Sequence, residues 1–301
     1  MATGAQWLAA TRPRTLPAAI APVLVGGAIV HGVIARSLTD QHPDWANLLL
    51  AMIVALTLQI GVNFSNDYSD GIRGTDATRV GPVRLVGQGL AQARQVKAAA
   101  FIAFGLAAAT GLVLVLRTGS LSLIVIGALA IVSAWFYTGG TNPYGYSGFG
   151  ELFVFVWFGL VAVQGTVFVT TGAMHGYGWL YGIGAGALSC ALLVANNLRD
   201  VPTDAQVGKR TLAVRLGATR TRWLYVGLVW IGLATPFVDL LISRSGPNYW
   251  LLLTLSAAAS AHKPGWAVIR GAAGRELIPV LVGTGRTLLI WALAITVAYL
   301  L

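Results

Sequence analysis

Residues 46–76 read ANLLLAMIVALTLQIGVNFSNDYSDGIRGTD. The first seventeen of them carry no charge, whereas the last fourteen contain three aspartates and two asparagines. An uncharged apolar run of this length predicts a helix that crosses the hydrocarbon core of a membrane, which is about 30 Å thick. The polar residues at its end therefore predict a site at one membrane surface.

The composition of the whole chain agrees with a membrane protein. The 301 residues are 56% hydrophobic and 10% charged, and the mean hydropathy is +0.73. Soluble domains carry about 25% charged residues. Nine apolar runs predict transmembrane helices, at approximately 16–35, 46–66, 98–116, 119–137, 152–173, 177–198, 223–242, 248–262 and 280–301. We expect one integral-membrane domain over 1–301, all-α, with about nine helices around a central cavity.

The distribution of basic residues predicts the orientation. If the N-terminus is cytoplasmic, 17 of the 20 Lys and Arg residues fall in cytoplasmic segments. Such an excess is typical of the cytoplasmic side of multi-pass membrane proteins. We therefore expect a protein of the cell membrane with a cytoplasmic N-terminus, an outside C-terminus and a cavity that opens to the cytoplasm. The net charge of +10 then follows from topology, and no nucleic-acid partner is expected.

A second polar stretch resembles the first. Residues 196–217 read NNLRDVPTDAQVGKRTLAVRLG and contain Asp200 and Asp204. In both stretches an asparagine precedes the first aspartate by four residues, as Asn63 precedes Asp67, so the two side chains share a helix face. Four predicted helices separate the stretches, which indicates a weak internal repeat and predicts that both polar ends lie on the cytoplasmic side.

The clustered acids favour a magnesium site. Carboxylates in close proximity repel each other unless a positive ion lies among them. Magnesium is usually held by one or two carboxylates, with water and phosphate oxygens completing its shell, whereas the single cysteine and the scattered histidines disfavour zinc. The alternative is solvated loop acids beside basic residues. The predicted Mg²⁺ ligands are Asn63, Asn66, Asp67, Asp70, Asp76, Asn196, Asp200 and Asp204.

Basic residues follow each cluster: Arg79 and Arg84 the first, Lys209 and Arg210 the second. Carboxylates, magnesium and cations together favour a diphosphate ligand, and the absence of a GxxxxGK[ST] phosphate loop disfavours a nucleotide. Pro202 disfavours helical continuation and predicts a kink that turns Lys209 over the diphosphate. The other interpretation of Lys209 is an ordinary cytoplasmic charge.

The motifs resemble a known family. NDYSDGIRGTD and DVPTD are similar to the two Asp-rich motifs, NDxxDxxxD and DxxxD, of the UbiA superfamily of intramembrane prenyltransferases. Gly74 stands at the last acidic position of the first motif, and Asp76 follows two residues later. RPRTLPAAIAPVLVG, RVGPVRL and YTGGTNPYGYSGFGE resemble the 1,4-dihydroxy-2-naphthoate polyprenyltransferase branch, and the resemblance extends from about residue 6 to residue 301.

The resemblance implies a Mg²⁺-dependent enzyme of menaquinone biosynthesis. It would transfer a polyprenyl chain from polyprenyl diphosphate to 1,4-dihydroxy-2-naphthoate with loss of CO₂, giving a demethylmenaquinone and diphosphate in the lipid bilayer. The alternatives are another aromatic acceptor and, less favoured, a cation-coupled transporter, because transporters place charge near mid-membrane. The expected catalytic residues are Asp70, Asp200, Asp204 and Lys209, and the expected substrate-binding residues are Arg84, Tyr137, Tyr144, Asn197 and Arg210.

Some side chains have two interpretations. Tyr137, Tyr144 and Tyr146 could stabilise an allylic cation or form an interfacial aromatic belt. Glu151 could orient the acceptor, but a helix N-terminal cap is favoured. For Arg12 and the neighbouring Arg14, ordinary cytoplasmic charge is favoured over a contact with the acceptor carboxylate.

Overall fold

The computed structural model describes residues 2–34, 43–74, 83–243 and 246–301. Within these ranges the chain forms helices and no strand. The α-helices are α1 (Gly4–Ala10), α2 (Pro17–Ile29), α3 (Trp45–Ile72), α4 (Ala93–Thr118), α5 (Ser122–Phe136), α6 (Gly150–Phe155), α7 (Ala162–Thr171), α8 (Gly176–Gln206), α9 (Leu212–Ile242), α10 (Leu255–Ile269) and α11 (Leu277–Leu300). Short 3₁₀ segments cover Pro13–Thr15, Tyr144–Ser147, Tyr249–Thr254 and Gly274–Glu276, and π-helical segments cover Val30–Ile34 and Val156–Val161.

Six helices in the described ranges are long and apolar enough to cross a membrane. They are α3, α4, the continuous helix Gly150–Thr171, α8, α9 and Gly274–Leu300. The pair Gly4–Thr15 and Pro17–Gly32 is bent by 54° and adds a seventh span if it crosses as one unit. Over the residues that the structure describes, the protein is therefore all-helical with six or seven candidate membrane spans.

The predicted count of nine spans is not reached. The predicted span 119–137 coincides with α5, which has only 15 residues, and the predicted span 248–262 falls on a 3₁₀ segment followed by α10, also of 15 residues. A 15-residue helix is about 22 Å long, shorter than the hydrocarbon core of about 30 Å. Nine spans therefore stay a prediction.

Helix α8 lies at the centre of the fold and packs against α9, α11 and the Gly150–Thr171 helix. Small residues permit this close packing. A Cβ atom at Gly159 would lie 2.5 Å from the carbonyl oxygen of Gly182 and 2.6 Å from the Cα of Gly186. The two backbones touch at this crossing, so the Gly150–Thr171 helix has a fixed position against α8.

Buried apolar side chains form two clusters. The larger joins α2, α8, α9 and α11 around residues such as Ile29, Leu188 and Trp291. The smaller joins α3 and α4 around Phe64 and Phe104. Helices from both clusters line one large cavity, so the protein is packed on either side of an internal space.

Local irregularities shape the helices that reach this cavity. The π-helical segment Val156–Val161 separates α6 from α7, and α9 bends at Gly217, whose φ is 74°. The predicted interruption at Pro202 is wrong, because α8 continues through this proline to Gln206. Pro202 lies in the penultimate turn, where the missing N–H removes only one helical hydrogen bond. The chain instead reverses at Gly208, whose φ is 76°.

Candidate active site

The cavity has a volume of about 850 Å³ and is lined by residues of α2, α3, α5, α8 and the Gly150–Thr171 helix. Along α3 its lining extends from Asp70 to Ala51, which is about 28 Å at the rise of an α-helix. Polar side chains such as Asp70 lie at one end, whereas Ala51, Val54 and Leu58 line the other end of the α3 wall. A ligand with a charged head and a long apolar chain fits this division.

A buried ion pair joins the two polar stretches at the polar end of the cavity, which is called its head below. The Lys209 Nζ donates a hydrogen bond to Asp70 Oδ1 at 2.9 Å, and the Tyr146 hydroxyl donates to the same oxygen. The Lys209 Nζ also lies 4.3 Å from the centroid of the Tyr146 ring, a cation–π distance. Asp204 is buried and lines the same cavity. The two stretches therefore meet at one site, as the sequence predicts.

The turn after α8 explains why Lys209 reaches this position. Gly208 adopts a left-handed conformation after the helix ends, and the Lys209 N–H donates to the Asp204 carbonyl at 2.9 Å. This arrangement is a glycine-terminated helix C-cap. The next N–H, of Arg210, donates to the Tyr146 carbonyl at 2.8 Å. Lys209 is thus held against the Tyr144–Ser147 segment by backbone hydrogen bonds.

Asp67, the first aspartate of α3, has a different environment. It accepts hydrogen bonds from the N–H of Leu85 at 2.8 Å and the N–H of Val86 at 3.1 Å. It is buried but does not line the cavity. Both carboxylate oxygens therefore attach the segment before α4 to α3.

Asp200, the first aspartate of α8, is held by its neighbour in sequence. Arg199 donates from Nε to Asp200 Oδ1 at 2.7 Å and from Nη2 to Oδ2 at 2.8 Å. The same Nη2 donates to Asn196 Oδ1 at 2.8 Å. Arg199 lines the cavity, and Asp200 does not. A buried guanidinium therefore faces the cavity beside the acidic head, and the carboxylate behind it compensates its charge.

Two asparagines of α3 line the cavity and also tether neighbouring segments. Asn63 Nδ2 donates to the Thr11 carbonyl at 2.8 Å and to Thr15 Oγ1 at 3.0 Å. Asn66 Oδ1 accepts a hydrogen bond from Thr138 Oγ1 at 2.7 Å. These bonds fix the turn before α2 and the end of α5 against α3, so they hold the head of the cavity together.

The predicted tyrosines line the cavity. Tyr137 and Tyr144 form an edge-to-face pair with ring centroids 5.5 Å apart, and Tyr144 stacks on Phe153 at 4.0 Å. The Tyr144 hydroxyl donates to the Ser133 carbonyl at 2.8 Å, and burial raises the pKa of this phenol above its usual value, so it stays neutral. An aromatic wall therefore lies beside the charged head.

The donor set at the head fits magnesium. Asp70, Asp204 and Asn66 offer oxygen atoms at the cavity wall, and oxygen is the ligand that Mg²⁺ prefers. The described residues contain no group of three or more His, Cys, Asp or Glu side chains that could enclose an ion. One or two carboxylates are enough where a substrate phosphate completes the coordination. Asp76 and Arg79 lie outside the described residues.

The family assignment follows from a match in sequence. The profile of the UbiA prenyltransferase family matches residues 19–271. The chain belongs to this family. A Mycobacterium tuberculosis protein named 1,4-dihydroxy-2-naphthoate octaprenyltransferase is 51% identical over 298 residues, covering 98% of this chain and 97% of that protein. An Escherichia coli protein of the same name is 35% identical, covering 82% of this chain and 80% of that protein.

Solved structures share the fold. A UbiA homolog from Archaeoglobus fulgidus, described as bound to GPP and Mg²⁺, matches with a TM-score of 0.67 at 13% identity, covering 96% of this chain and 99% of that chain. A digeranylgeranylglyceryl phosphate synthase matches with a TM-score of 0.61 at 15% identity, covering 98% of both chains. At these identities the likeness shows the fold alone.

The structure gathers most of the predicted site residues of this UbiA chain around one cavity. Asp67 and Asp200 lie behind its wall, and the Arg210 side chain is exposed and outside the lining. The roles of all these residues as ligands or catalysts stay predictions. The predicted residues that line the cavity are Asn63, Asn66, Asp70, Arg84, Tyr137, Tyr144, Asn196, Asn197, Asp204 and Lys209.

Sequence reasoning missed Arg199 and Thr138. Arg199 counted only as a cytoplasmic charge, although its position three residues after Asn196 was a usable signal on a helix. Thr138 gave no signal, because its contact with Asn66 joins residues 72 positions apart.

Proposed function

We propose that this UbiA-family protein transfers a polyprenyl group from its diphosphate to 1,4-dihydroxy-2-naphthoate, releasing CO₂ and diphosphate and yielding a demethylmenaquinone. One observation carries the proposal: a single cavity, about 28 Å long along α3, joins a head of buried acids and bases to an apolar chamber. The names of the relatives, at up to 51% identity, support the choice of acceptor.

The residues at the head suit a diphosphate. Lys209, Arg84 and Arg199 are buried cations at the cavity wall, and such groups bind phosphate oxygens through charge-assisted hydrogen bonds. Asp70 and Asp204 would hold Mg²⁺ between them and the diphosphate. The bound metal would supply positive charge that stabilises the leaving diphosphate. Lys209 is placed to add its own charge as the bond breaks.

The proposed reaction needs no base to remove a ring proton, because CO₂ leaves from the carbon that is alkylated. The C1–O bond of the donor breaks, and its electron pair leaves with the diphosphate. A bond forms between C1 and the ring carbon that carries the carboxylate. The bond to the carboxylate then breaks, its electron pair restores the aromatic ring, and CO₂ departs.

The cavity wall protects the allylic cation that develops at C1. Tyr137, Tyr144 and Phe153 present aromatic surface next to the head, and ring faces stabilise cations by about 2 kcal/mol or more when desolvated. The apolar chamber excludes water, which would otherwise quench the cation.

The proposal includes nine transmembrane helices and a cavity that opens to the cytoplasm. The bias of basic residues, 17 of 20 on one side, supports this orientation. Cysteines introduced singly at Gln206 and Ser120 in a Cys190→Ser background provide the test. We expect an impermeant thiol reagent to label Gln206→Cys only from the cytoplasmic side and Ser120→Cys only from outside. The opposite pattern would overturn the orientation.

The activity is tested with purified protein in liposomes supplied with Mg²⁺, polyprenyl diphosphates of several lengths and separate aromatic acids. We expect a prenylated naphthohydroquinone and CO₂ from 1,4-dihydroxy-2-naphthoate, identified by mass, with none from 4-hydroxybenzoate. Product from 4-hydroxybenzoate alone would identify that acid as the acceptor instead. No diphosphate release with any acid, together with ion movement across the liposomes, would favour a transporter. Asp70→Asn is the matched inactive control.

A further inference from the structure

Two buried polar residues link the Gly150–Thr171 helix to α8 just below the head of the cavity. Asn197 Nδ2 donates a hydrogen bond to Glu151 Oε1 at 2.9 Å, and the two residues are only 6% and 8% exposed. Asn197 lines the cavity, whereas Glu151 does not. The sequence favoured a helix cap for Glu151, but its carboxylate reaches across to the neighbouring helix.

This contact sets the orientation of the Asn197 amide. A carboxylate oxygen accepts hydrogen bonds and an amide nitrogen donates them, so the NH₂ group of Asn197 faces Glu151. No residue in the described ranges donates to the other amide atom, Asn197 Oδ1. The position of Glu151 is itself fixed, since the Cys190 Sγ donates to its backbone carbonyl at 3.0 Å. A pre-oriented acceptor atom is therefore held at the cavity wall.

The position of Asn197 matches the level of the reacting carbon. Seven residues separate it from Asp204 on α8, which corresponds to about 10 Å along the helix. A diphosphate bound at Asp204 would end, and the prenyl C1 would begin, within that distance. The aromatic wall is adjacent, because a Cβ at Gly150 would lie 3.4 Å from the Tyr137 hydroxyl oxygen. An aromatic acceptor at this level would meet both Asn197 and the prenyl C1.

We propose that Glu151 is a positioning residue that holds Asn197 Oδ1 ready to accept a hydrogen bond from the acceptor hydroxyl next to the alkylated carbon. The inference rests on the proposed function. As the ring carbon attacks, electron density moves from that hydroxyl oxygen into the ring, and its proton becomes more acidic. The hydrogen bond to Asn197 therefore strengthens in the transition state, which accelerates the reaction.

Glu151 itself acts on no proton of the substrate in this scheme. The alkylated carbon carries a carboxylate and no hydrogen, and the electron pair that restores the ring comes from the bond to CO₂. The hydroxyl proton stays on the substrate oxygen, shared with Asn197 Oδ1 until CO₂ leaves. The carboxylate of Glu151 is needed only to keep the amide in one orientation.

The test compares Glu151→Gln with wild type on two acceptors. 1,4-Dihydroxy-2-naphthoate carries the hydroxyl, whereas its 1-methoxy ether retains the electron-donating oxygen but has no proton to donate. We expect wild type to prefer the first acceptor in kcat/KM. Glu151→Gln leaves the amide free to flip, and the preference should fall about tenfold, the effect of one hydrogen bond, while KM for the polyprenyl diphosphate stays unchanged. An unaltered preference would overturn the inference.

A double-mutant cycle distinguishes positioning from a general structural role. Asn197→Ala should lower the preference as much as Glu151→Gln, and the double variant should differ from Asn197→Ala by less than about twofold. Independent, multiplying effects would contradict the inference. Asp239→Asn is the matched control, because Asp239 is equally buried, is held by Tyr181 and Tyr299, and lies outside the cavity lining. It should lose thermal stability and keep the wild-type preference.

The experiments distinguish a failure of this inference from a failure of the proposed function. If wild type forms no naphthoate product, the proposed function fails and the inference fails with it. If wild type forms product and Glu151→Gln keeps the preference, only the inference fails. Should Glu151→Gln not fold, Asn197→Ala decides alone, and a retained preference there is the contrary result.

Discussion

The polar ends of α3 and α8 contain the same residue types, yet their paired aspartates are used differently. In α3, Asp67 is attached to backbone N–H groups, and Asp70 lines the cavity. In α8, Asp200 is attached to a guanidinium, and Asp204 lines the cavity. Each end thus has one aspartate behind the cavity wall and one on its surface.

The difference between the two ends lies in what the rear aspartate supports. The neutral donors to Asp67 hold a loop in place, so that carboxylate is a structural attachment. The partner of Asp200 is Arg199, which itself faces the cavity, so that carboxylate compensates a cation that would contact the substrate. Both ends therefore combine acids with a buried guanidinium at the cavity wall, Arg84 in the loop after α3 and Arg199 in α8, and Arg199 is held by the rear aspartate of its own helix.

The largest expected effect comes from the aspartates on the cavity surface. Asp70→Asn and Asp204→Asn each remove a charge from the proposed magnesium site, so we expect transfer to fall on the order of a thousandfold. Product formation in liposomes at saturating substrates measures this loss. Asp67→Asn is the comparison variant, expected to stay within about tenfold of wild type when assayed well below its melting temperature. Equal losses at Asp67 and Asp70 would contradict the division into rear and surface aspartates.

The next largest loss of activity is expected at Lys209, which follows α8 and contacts Asp70, the surface aspartate of α3. Lys209→Gln removes the ammonium that lies 2.9 Å from Asp70, and we expect kcat to fall on the order of a hundredfold. Arg222→Gln is the matched control, since Arg222 donates to the carbonyls of Gly271 and Ala272 at the end of α10. Steady-state kinetics of both variants give the comparison. If the two variants behave alike, Lys209 has no part in diphosphate departure.

A smaller effect is expected at Tyr146, the shared neighbour of Asp70 and Lys209. Tyr146→Phe removes the hydroxyl that donates to Asp70 but keeps the ring beneath the ammonium. The loss of one hydrogen bond to a charged group predicts about a tenfold lower kcat. Tyr146→Leu, which also removes the ring, should lose more. An equal loss in Leu and Phe variants would show that the cation–π contact contributes nothing.

The smallest effect on catalysis is expected for Asp67, which lies behind the cavity wall, and its substitution should lower the stability of the protein instead. Asp67→Asn replaces one accepting oxygen with an NH₂ group that faces a backbone N–H. We expect a destabilisation of about 1–3 kcal/mol, seen as a lower melting temperature in detergent. Asp70→Asn instead breaks the buried ion pair with Lys209 and leaves the ammonium without this carboxylate, so we expect it to lose stability as well as activity. An unchanged melting temperature for Asp67→Asn, or a loss of activity equal to that of Asp70→Asn, would contradict the structural assignment of Asp67.

The sequence was sufficient to predict the helices and the meeting of the two polar stretches, since hydropathy and helical spacing are local properties. It could not tell Asp67 from Asp70, because the donors to Asp67 are backbone groups 18 and 19 residues away. It placed the reversal after α8 at Pro202, whereas Gly208 provides it. A proline near a helix end removes a single hydrogen bond, and a left-handed glycine redirects the chain.

The contact of Glu151 was likewise not predictable from local sequence. An acid in the first turn of a helix is ordinarily favoured by the helix dipole, and nothing local in the sequence connects it to Asn197, 46 residues later. The contact depends on the antiparallel packing of two helices at Gly159, Gly182 and Gly186. Nine spans stay a prediction for a related reason, since apolar composition does not give the length of a helix, and α5 has only 15 residues.

The π-helical segment Val156–Val161 sets the rotational phase between the two halves of one membrane span. A π-turn corresponds to one residue inserted into an α-helix. Deleting one residue from α7, outside the π-turn, would rotate the preceding half by about 100° around its axis and carry Glu151 away from Asn197. The hydropathy and length of the span would hardly change, and membrane insertion would proceed as before. A genetic screen for insertion would therefore pass such a deletion, while a screen for quinone synthesis would reject it.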